Sequence, residues 1–404
     1  MRLKPPFDRL LLPIYVPSLI VSASQTALLI LLPLYVVELG MSAAIAALIV
    51  GIRGIGLLLF DVPAGMFASR FGDRAILLLG LAVLVAGTGL IALSANPWLL
   101  ALGAFLTGAG FAAWMLGRQS YIADTCAPRE TGRAITVMAG LQRVGIFIGP
   151  GLGGVLAAAT SYSLTFAVGA AITVAAGALV WPYCQVGSRP SAGDAAGHFS
   201  LAPTLRLARR HARVFLTAGW AAMSLQLMRA TRMLLVPLAG VELGLDAAAV
   251  GLIFSVSAGI DMCLFYPVGW VVDRHGRRWS AVPSLTLFAL GLALLPLASG
   301  FASLLAVACL LGFANGIGTG IVMIIGADLS RRSEDRSQFL GVWRLIGDAG
   351  MSGAPLLSAA LLSVASLAAA SVVVAALGFA GAFVMLTLVP ETLERGPTDS
   401  TERP

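Results

Sequence analysis

The chain has 404 residues, 58% of them hydrophobic and 11% charged, with a mean hydropathy of +0.93. A soluble domain of that composition would lack a polar surface, so most of the chain is expected to lie in a lipid bilayer. Its formal charge of +7 is carried mostly by arginines set at short intervals between apolar runs, without the lysine clusters and interleaved aromatics of a nucleic-acid-binding surface.

A helical span needs roughly 20 apolar residues. Twelve such runs are predicted, at 11–36, 44–67, 75–94, 98–122, 134–158 and 163–184, then 214–239, 247–270, 280–299, 302–327, 338–362 and 367–389. The first follows Arg2, Lys4 and Arg9 and contains Ser22-Ala23-Ser24, features of a signal peptide. Its apolar run continues past the small residues and eleven spans follow, so it reads as helix 1. Between the sixth and seventh runs, residues 187–200 are rich in Gly, Ser, Ala and Pro. The chain therefore divides into an N-terminal six-helix half (1–186), a cytoplasmic linker (187–213) and a C-terminal six-helix half (214–404). Within the linker, residues 201–213 read either as a basic amphipathic helix on the anionic leaflet or as a solvated segment carrying arginines.

Alternate connections differ in charge. One set holds Arg70 and Arg74, Arg129 and Arg133, Arg189 to Arg213, Arg274 to Arg278, and Arg331 to Arg336; the other set contains no Lys or Arg. By the positive-inside rule this places both termini in the cytoplasm of a multi-pass protein of the cell (inner) membrane. Cys126, Cys184, Cys263 and Cys309 are isolated and read as packing residues, and neither a metal site nor a cofactor motif is indicated. No HExxH or GxSxG motif is present, and the loose glycine pattern at Gly108 to Ala113 lies inside an apolar span, so no enzyme is indicated.

The halves repeat at an offset of 204. Pro33, Glu38 and Gly40 match Pro237, Glu242 and Gly244; Pro63 and Gly65 match Pro267 and Gly269; Gly108 matches Gly312, and Asp124 matches Asp328. Two copies with six helices each insert in the same orientation, related by an axis along the membrane normal, with a cleft between them as the solute path. The turn after the second span of each half carries the densest motif: Gly269, Asp273, Arg274, Gly276, Arg277 and Arg278 in the second copy, and Gly65, Arg70, Gly72 and Arg74 in the first. Glycine permits close helix contact, and arginine near a helix C-terminus meets the dipole and nearby carboxylates.

That motif, present over the whole duplicated length, resembles the signature of the major facilitator superfamily. The resemblance implies an all-α membrane transporter of twelve helices, a monomer, in which this turn is a gating latch paired with an acid at the base of helix 4, here Asp124 and Asp328. The first copy departs from the pattern, with Ser69 where the family has Asp and Asp73 where it has Arg. In helix 5, Gly145, Gly149, Pro150, Gly153 and Gly154 follow a second motif, associated in the family with exporters that exchange drugs for protons; glycines at this spacing also serve generic helix packing. A further antiporter mark, an arginine in helix 4, falls at Ala104 and is missing.

Intramembrane charges cost on the order of 2.5–3.5 kcal/mol each on insertion scales and therefore face cavities or partners. Nine are predicted: Arg53, Asp61, Arg118, Arg143, Arg229, Arg232, Asp261, Arg344 and Asp348, with none in helices 3, 6, 9 and 12. In the resembled fold those four helices form the outer layer. Arg143 (GLQR) and Arg344 (GVWR) occupy equivalent places and are expected to face each other across the cleft, unless such arginines sit in structural pairs or gates. Six arginines against three aspartates favour a solute with carboxylate or phosphate groups. Asp348, then Asp261 and Asp61, are the candidates for proton coupling, while Gln25 suits hydrogen bonding to solute. These features lead to a proton-coupled exporter of small organic molecules working by alternating access, or an importer or facilitator of a small organic anion on the same fold.

Overall fold

A computed structural model describes residues 7–184, 206–207, 209–331, 333 and 336–392. Twelve long helices account for nearly all of them, and no strand occurs among the described residues. In the first half, α1 runs through Phe7–Leu10, a π-turn at Leu11–Tyr15 and Val16–Glu38. It is followed by α2 (Ala43–Phe71), α3 (Asp73–Leu93), α4 (Pro97–Thr125), α5 (Pro128–Ala159) and α6 (Tyr162–Tyr183). In the second half, α7 runs through Ala212–Val214, a π-turn at Phe215–Gly219 and Trp220–Glu242. Then come α8 (Ala247–His275), α9 (Arg278–Leu294), α10 (Phe301–Ile317, broken, then Ile321–Ser330), α11 (Arg336–Val364) and α12 (Leu367–Thr387).

The duplication is visible in the backbone. The two π-turns, at Leu11–Tyr15 and Phe215–Gly219, are 204 residues apart, and the left-handed glycines fall in the same register: Gly40 with Gly244, and Gly72 with Gly276. Gly40 and Gly244 end α1 and α7, where a positive φ lets the next amide reach back to the last helical turn (Met41 N to Val36 O, Leu245 N to Gly240 O). The turns at this arginine-poor end are short because side chains cap the next helix at once. Ser42, Asn96, Ser161, Asp246 and Ser366 each accept an amide hydrogen bond from the first turn of α2, α4, α6, α8 and α12.

Within each half the same helix pairs touch: α1 with α5 and α6, α2 with α4, α3 with α4 and α6, and their counterparts α7 with α11 and α12, α8 with α10, and α9 with α10 and α12. Helices α3, α6, α9 and α12, which carry no charge beyond the first turns of α3 and α9, expose Leu79, Ile172, Val174, Leu290, Phe379 and Phe383, as an outer layer facing hydrocarbon requires. Eleven of the described helices are long and apolar enough to cross a membrane. α7 is not among them, since Gln226, Arg229, Thr231 and Arg232 interrupt its apolar run.

Several expectations need correction. Helices α2, α4 and α8 end, and α5 begins, several residues beyond the predicted spans at the arginine-rich end, where polar and charged residues leave hydropathy silent. α10 is not continuous. Cys263 is exposed rather than packed, whereas Cys126 and Cys184 are buried. The 187–205 stretch lies outside the described residues, and the basic segment is seen only in part, with residues 206–207 and 209–210 helical.

Candidate functional site

The halves meet along two symmetry-related seams. α5 packs on α8, where Gly154 lies against Ala247 and Gly251, and Ser255 Oγ accepts the Gly151 amide at 2.9 Å. α2 packs on α11, where a Cβ on Gly54 would come within 3.2 Å of Ser352 Cα. The remaining helix-5 glycines serve the other side: a Cβ on Gly145 would lie 2.6 Å from the Leu19 carbonyl oxygen of α1, while Gly149 and Gly153 sit against Ala23 and Ala27. Small residues thus close both seams on the arginine-poor side.

Toward the middle of the helices each seam ends in an ion pair. Arg143 (α5) lies 3.4 Å from Asp261 (α8), and Arg344 (α11) lies 3.6 Å from Asp61 (α2) and 3.5 Å from Asp348. Arg143 and Arg344 therefore do not face each other. Each instead reaches an aspartate of the opposite half, because one guanidinium beside another in a low-dielectric cleft repels while a carboxylate neutralises it. The Arg344 side chain is 71% exposed against 22% for Arg143, so the second cluster is the more open of the two. There Leu59, Met66 and Leu345 are also exposed.

Beside the Arg143–Asp261 pair lies a cavity of about 400 Å³, lined by α1, α5, α7, α8, α10 and α11. Its charged groups are Arg143, Arg229, Arg232 and Asp261. Asp261 also accepts hydrogen bonds from Asn315 Nδ2 at 2.9 Å and Thr319 Oγ1 at 3.4 Å. Arg229 donates to Gln226 Oε1 at 2.8 Å and to the Gly318 carbonyl at 2.6 Å, and Arg232 donates to the Leu311 carbonyl at 3.1 Å. The break in α10 forms one wall. Gly320 has φ +74°; the Ile317 carbonyl accepts from Ser280 Oγ at 2.5 Å, while Ser284 Oγ (2.7 Å) and Arg229 add to the Ala314 and Gly318 carbonyls, which also accept the Gly318 and Ile321 amides. The corresponding α4 is unbroken. A second cavity of about 200 Å³, among α1, α5 and α6, is apolar and offers no charged group.

Other sequence-predicted residues lie elsewhere. Gln25 is buried in α1, one turn from the cavity-lining Leu29, and its amide finds no hydrogen-bond partner among the described residues. Arg53 packs over the Phe111 ring of α4. Arg118 is buried and donates to Gln142 Oε1 at 2.7 Å, so it braces a cavity-lining side chain. The cavity also takes Gln142, Gln226, Asn315 and Thr319, which the sequence reading does not single out; like Gln25, they are uncharged polar residues inside apolar spans, and that is the signal that marks them.

The two turns after α2 and α8 differ. In the second half Arg277 Nε pairs with Asp328 Oδ2 at 2.9 Å, Thr392 Oγ1 donates to the same oxygen at 3.1 Å, and Glu391 accepts the amides of Arg277 and Arg278 at the start of α9. Arg278 donates to the Val389 carbonyl. In the first half Asp73 replaces Arg277, and it lies within hydrogen-bonding reach of Ser120 and Asp124. Arg74 lies over the Trp181 ring and Arg70 over Phe71, so neither stands in for the missing arginine. Gly65 and Gly269 each sit where α2 and α8 approach their last turns, and nothing crowds Gly269.

Known proteins agree with this architecture. The chain is 24% identical over 297 residues to "Multidrug resistance protein MdtH" of Yersinia pestis (strain Pestoides F) and of Yersinia pseudotuberculosis serotype O:1b, covering 73% of this chain and 72% of each relative. Its fold matches a bacterial homologue of the human lysosomal transporter Spinster, in an inward-facing and unoccupied conformation, with a TM-score of 0.70 at 15% identity over 95% of this chain and 98% of that one. It also matches the nucleoside transporter NupG, with a TM-score of 0.72 at 13% identity over 94% and 98%. The family model "Major Facilitator Superfamily" matches residues 15–260 and 220–404. With twelve helices in two six-helix halves, a polar cavity between them and this match across both halves, the chain belongs to the major facilitator superfamily of membrane transporters.

Proposed function

We propose that this transporter exports a small organic molecule across the inner membrane in exchange for protons, as a monomer with both termini and the arginine-rich end in the cytoplasm. The observation that carries the reading is the placement of ion pairs between the halves: Arg143–Asp261 at the cavity and Arg344–Asp61 beside Asp348. Alternating access requires contacts between the halves that exist in one state and part in the other. A carboxylate in such a contact couples its protonation to the change of state, since a neutral carboxyl no longer attracts the opposing guanidinium. At Arg344 two carboxylates share one guanidinium, so one proton taken up there leaves a neutral cluster. The multidrug designation of the Yersinia relatives supports the export direction, as does the glycine series of α5.

On this reading the seams closed by Gly51, Gly54, Gly151 and Gly154 are the periplasmic gate, and the cavity opens inward. The Arg277–Asp328 latch and its first-half counterpart act in the opposite phase, and the six-helix bodies either side of the 187–213 linker rock as units. The test is transport in proteoliposomes bearing a pH-sensitive dye, with a panel of anionic, neutral and cationic drugs added under an imposed pH gradient. Export by antiport moves the solute against the proton flux, and Asp348→Asn or Asp261→Asn abolishes the coupling. Solute moving with the protons, or without them, would establish the import or facilitated reading instead; intact coupling in both variants would remove these carboxylates from the mechanism.

A further inference from the structure

We infer that the solute held in the 400 Å³ cavity is a small organic anion whose carboxylate or phosphate oxygens are received by Arg229 and Arg232. The inference rests on the reading of this cavity as the transport site. Three guanidiniums and one carboxylate line it, a surplus of two positive charges. Asp261 is committed to Arg143, Asn315 and Thr319, which leaves Arg229 and Arg232 with neutral oxygens only: Gln226, Gly318 and Leu311. Arg232 is 4% exposed, and the Nε of each arginine is buried without a hydrogen-bond partner among the described residues.

Arg232 is buried and Arg229 half-buried one turn away on α7, and the single cavity carboxylate near them, Asp261, is hydrogen-bonded to three other donors, so the pair is costly without a further anion. The planar donors of arginine match the paired oxygens of a carboxylate or phosphate. Around them Gln142, Gln226, Asn315 and Thr319 offer neutral donors and acceptors, while Leu29, Ile146, Met233 and Met351 supply apolar wall, so the ligand is amphipathic with an anionic end. The volume lies within the range of drug-sized ligands, about 300–1,000 Å³. A cationic solute would meet the surplus charge, and the one carboxylate that could receive it is already shared by three donors.

The same geometry ties ligand binding to the α10 break. Arg229 shares the Gly318 carbonyl with the Ile321 amide, and the half-helix Ile321–Ser330 that this amide begins carries Asp328 of the latch near its other end. An anion that draws Arg229 away competes with that carbonyl.

The probes are three isosteres that differ in charge at one position: 2-naphthoate, 2-naphthamide and 2-naphthamidine. Each is titrated against the purified full-length protein in detergent, with thermal stabilisation as the readout. Naphthoate is expected to stabilise the wild type, with the amide and amidine at least tenfold weaker. Arg229→Gln should weaken naphthoate tenfold or more while leaving the amide unchanged, which also reports that the variant is folded. Arg229→Lys should recover part of the loss, and Asp261→Asn should tighten naphthoate, since it raises the surplus to three. A preference for the amidine, or a response indifferent to charge, including no response to any of the three, overturns the inference. The transport reading is separable: flux of a cationic or neutral compound in proteoliposomes would uphold it while this inference failed.

Discussion

The two turns that follow α2 and α8 offer a test in which one substitution should have opposite signs at equivalent positions. Asp328→Asn removes the charge facing Arg277 across 2.9 Å, where the side chains are only 10% and 13% exposed. At an effective dielectric of about 20 the gross Coulomb attraction at that distance is about 6 kcal/mol. Desolvation of both groups offsets much of it, and asparagine keeps an acceptor for Thr392, so a net destabilisation of about 1–3 kcal/mol is expected. At the equivalent place Asp124→Asn removes one of two carboxylates, Asp73 and Asp124, that lie within hydrogen-bonding reach of each other. An amide beside a carboxylate relieves like-charge repulsion, so this variant should be as stable as the wild type or more so. Asp73→Arg should stabilise further, by rebuilding the pair seen in the second half. Thermal unfolding of the three variants in detergent, followed by the loss of monodisperse protein, measures all of this. If Asp124→Asn lowered the transition as far as Asp328→Asn does, the two turns would be equivalent and the argument from charge would fail.

Other predictions rest on packing, backbone and thiol chemistry. Gly145→Val places atoms within 2.6 Å of the Leu19 carbonyl and 2.8 Å of Ser22 Cβ, so it should cost about 1–3 kcal/mol by forcing α1 and α5 apart, whereas Gly140→Ala, with open space around it, should be neutral in the same unfolding assay. Gly320→Ala meets no atom within 4 Å but sits at φ +74°, so any loss, about 1–2 kcal/mol, reports backbone strain alone; no loss would mean that the α10 break relaxes. Cys263 is exposed and Cys184 buried. A buried thiol is out of reach of the reagent, so mass spectrometry of folded protein labelled with a lipid-soluble maleimide should find Cys263 modified and Cys184 untouched.

Much of the fold was legible because its signals are local. Twenty apolar residues make a span whatever surrounds them, and a duplication keeps its register: the offset that aligns Gly40 with Gly244 in sequence also aligns two left-handed turns and two π-turns in space. The ends of the helices were less legible. α5 begins at Pro128, six residues before the apolar run, since a proline at the first position and Glu130 in the first turn start a helix in water, where hydropathy is silent. The break in α10 could not be read at all. Its glycines at 312, 316, 318 and 320 are no denser than Gly145, Gly149, Gly151, Gly153 and Gly154 of α5, which stays helical through a proline. What supports the break in α10 is the supply of donors from α7 and α9: Ser280 binds the Ile317 carbonyl, and Arg229 and Ser284 reinforce the carbonyls of Gly318 and Ala314 on either side.

The charged residues show the same division between what a sequence states and what it leaves to packing. Which spans carry charge was readable, because the cost of burying an ion restricts it to inner helices. How the charges pair was not, because the partners are set by the rotation of helices in opposite halves. Arg143 and Arg344 are equivalent in sequence, and symmetry alone suggested that they oppose each other. Yet a two-fold axis relates each arginine to its copy without bringing the two into contact, and it equally relates the contact Arg143–Asp261 to the contact Arg344–Asp61. The aspartates obey that symmetry only approximately, at an offset of 200 against 201 for the arginines, and their surroundings not at all. One pair is enclosed beside Arg229 and Arg232; the other is open and carries an extra carboxylate, Asp348. The duplicated fold thus presents two versions of one contact, the enclosed one with surplus positive charge and the open one with surplus negative charge. On the function proposed above, the enclosed contact suits an anion and the open one, with its two carboxylates on one guanidinium, suits a proton.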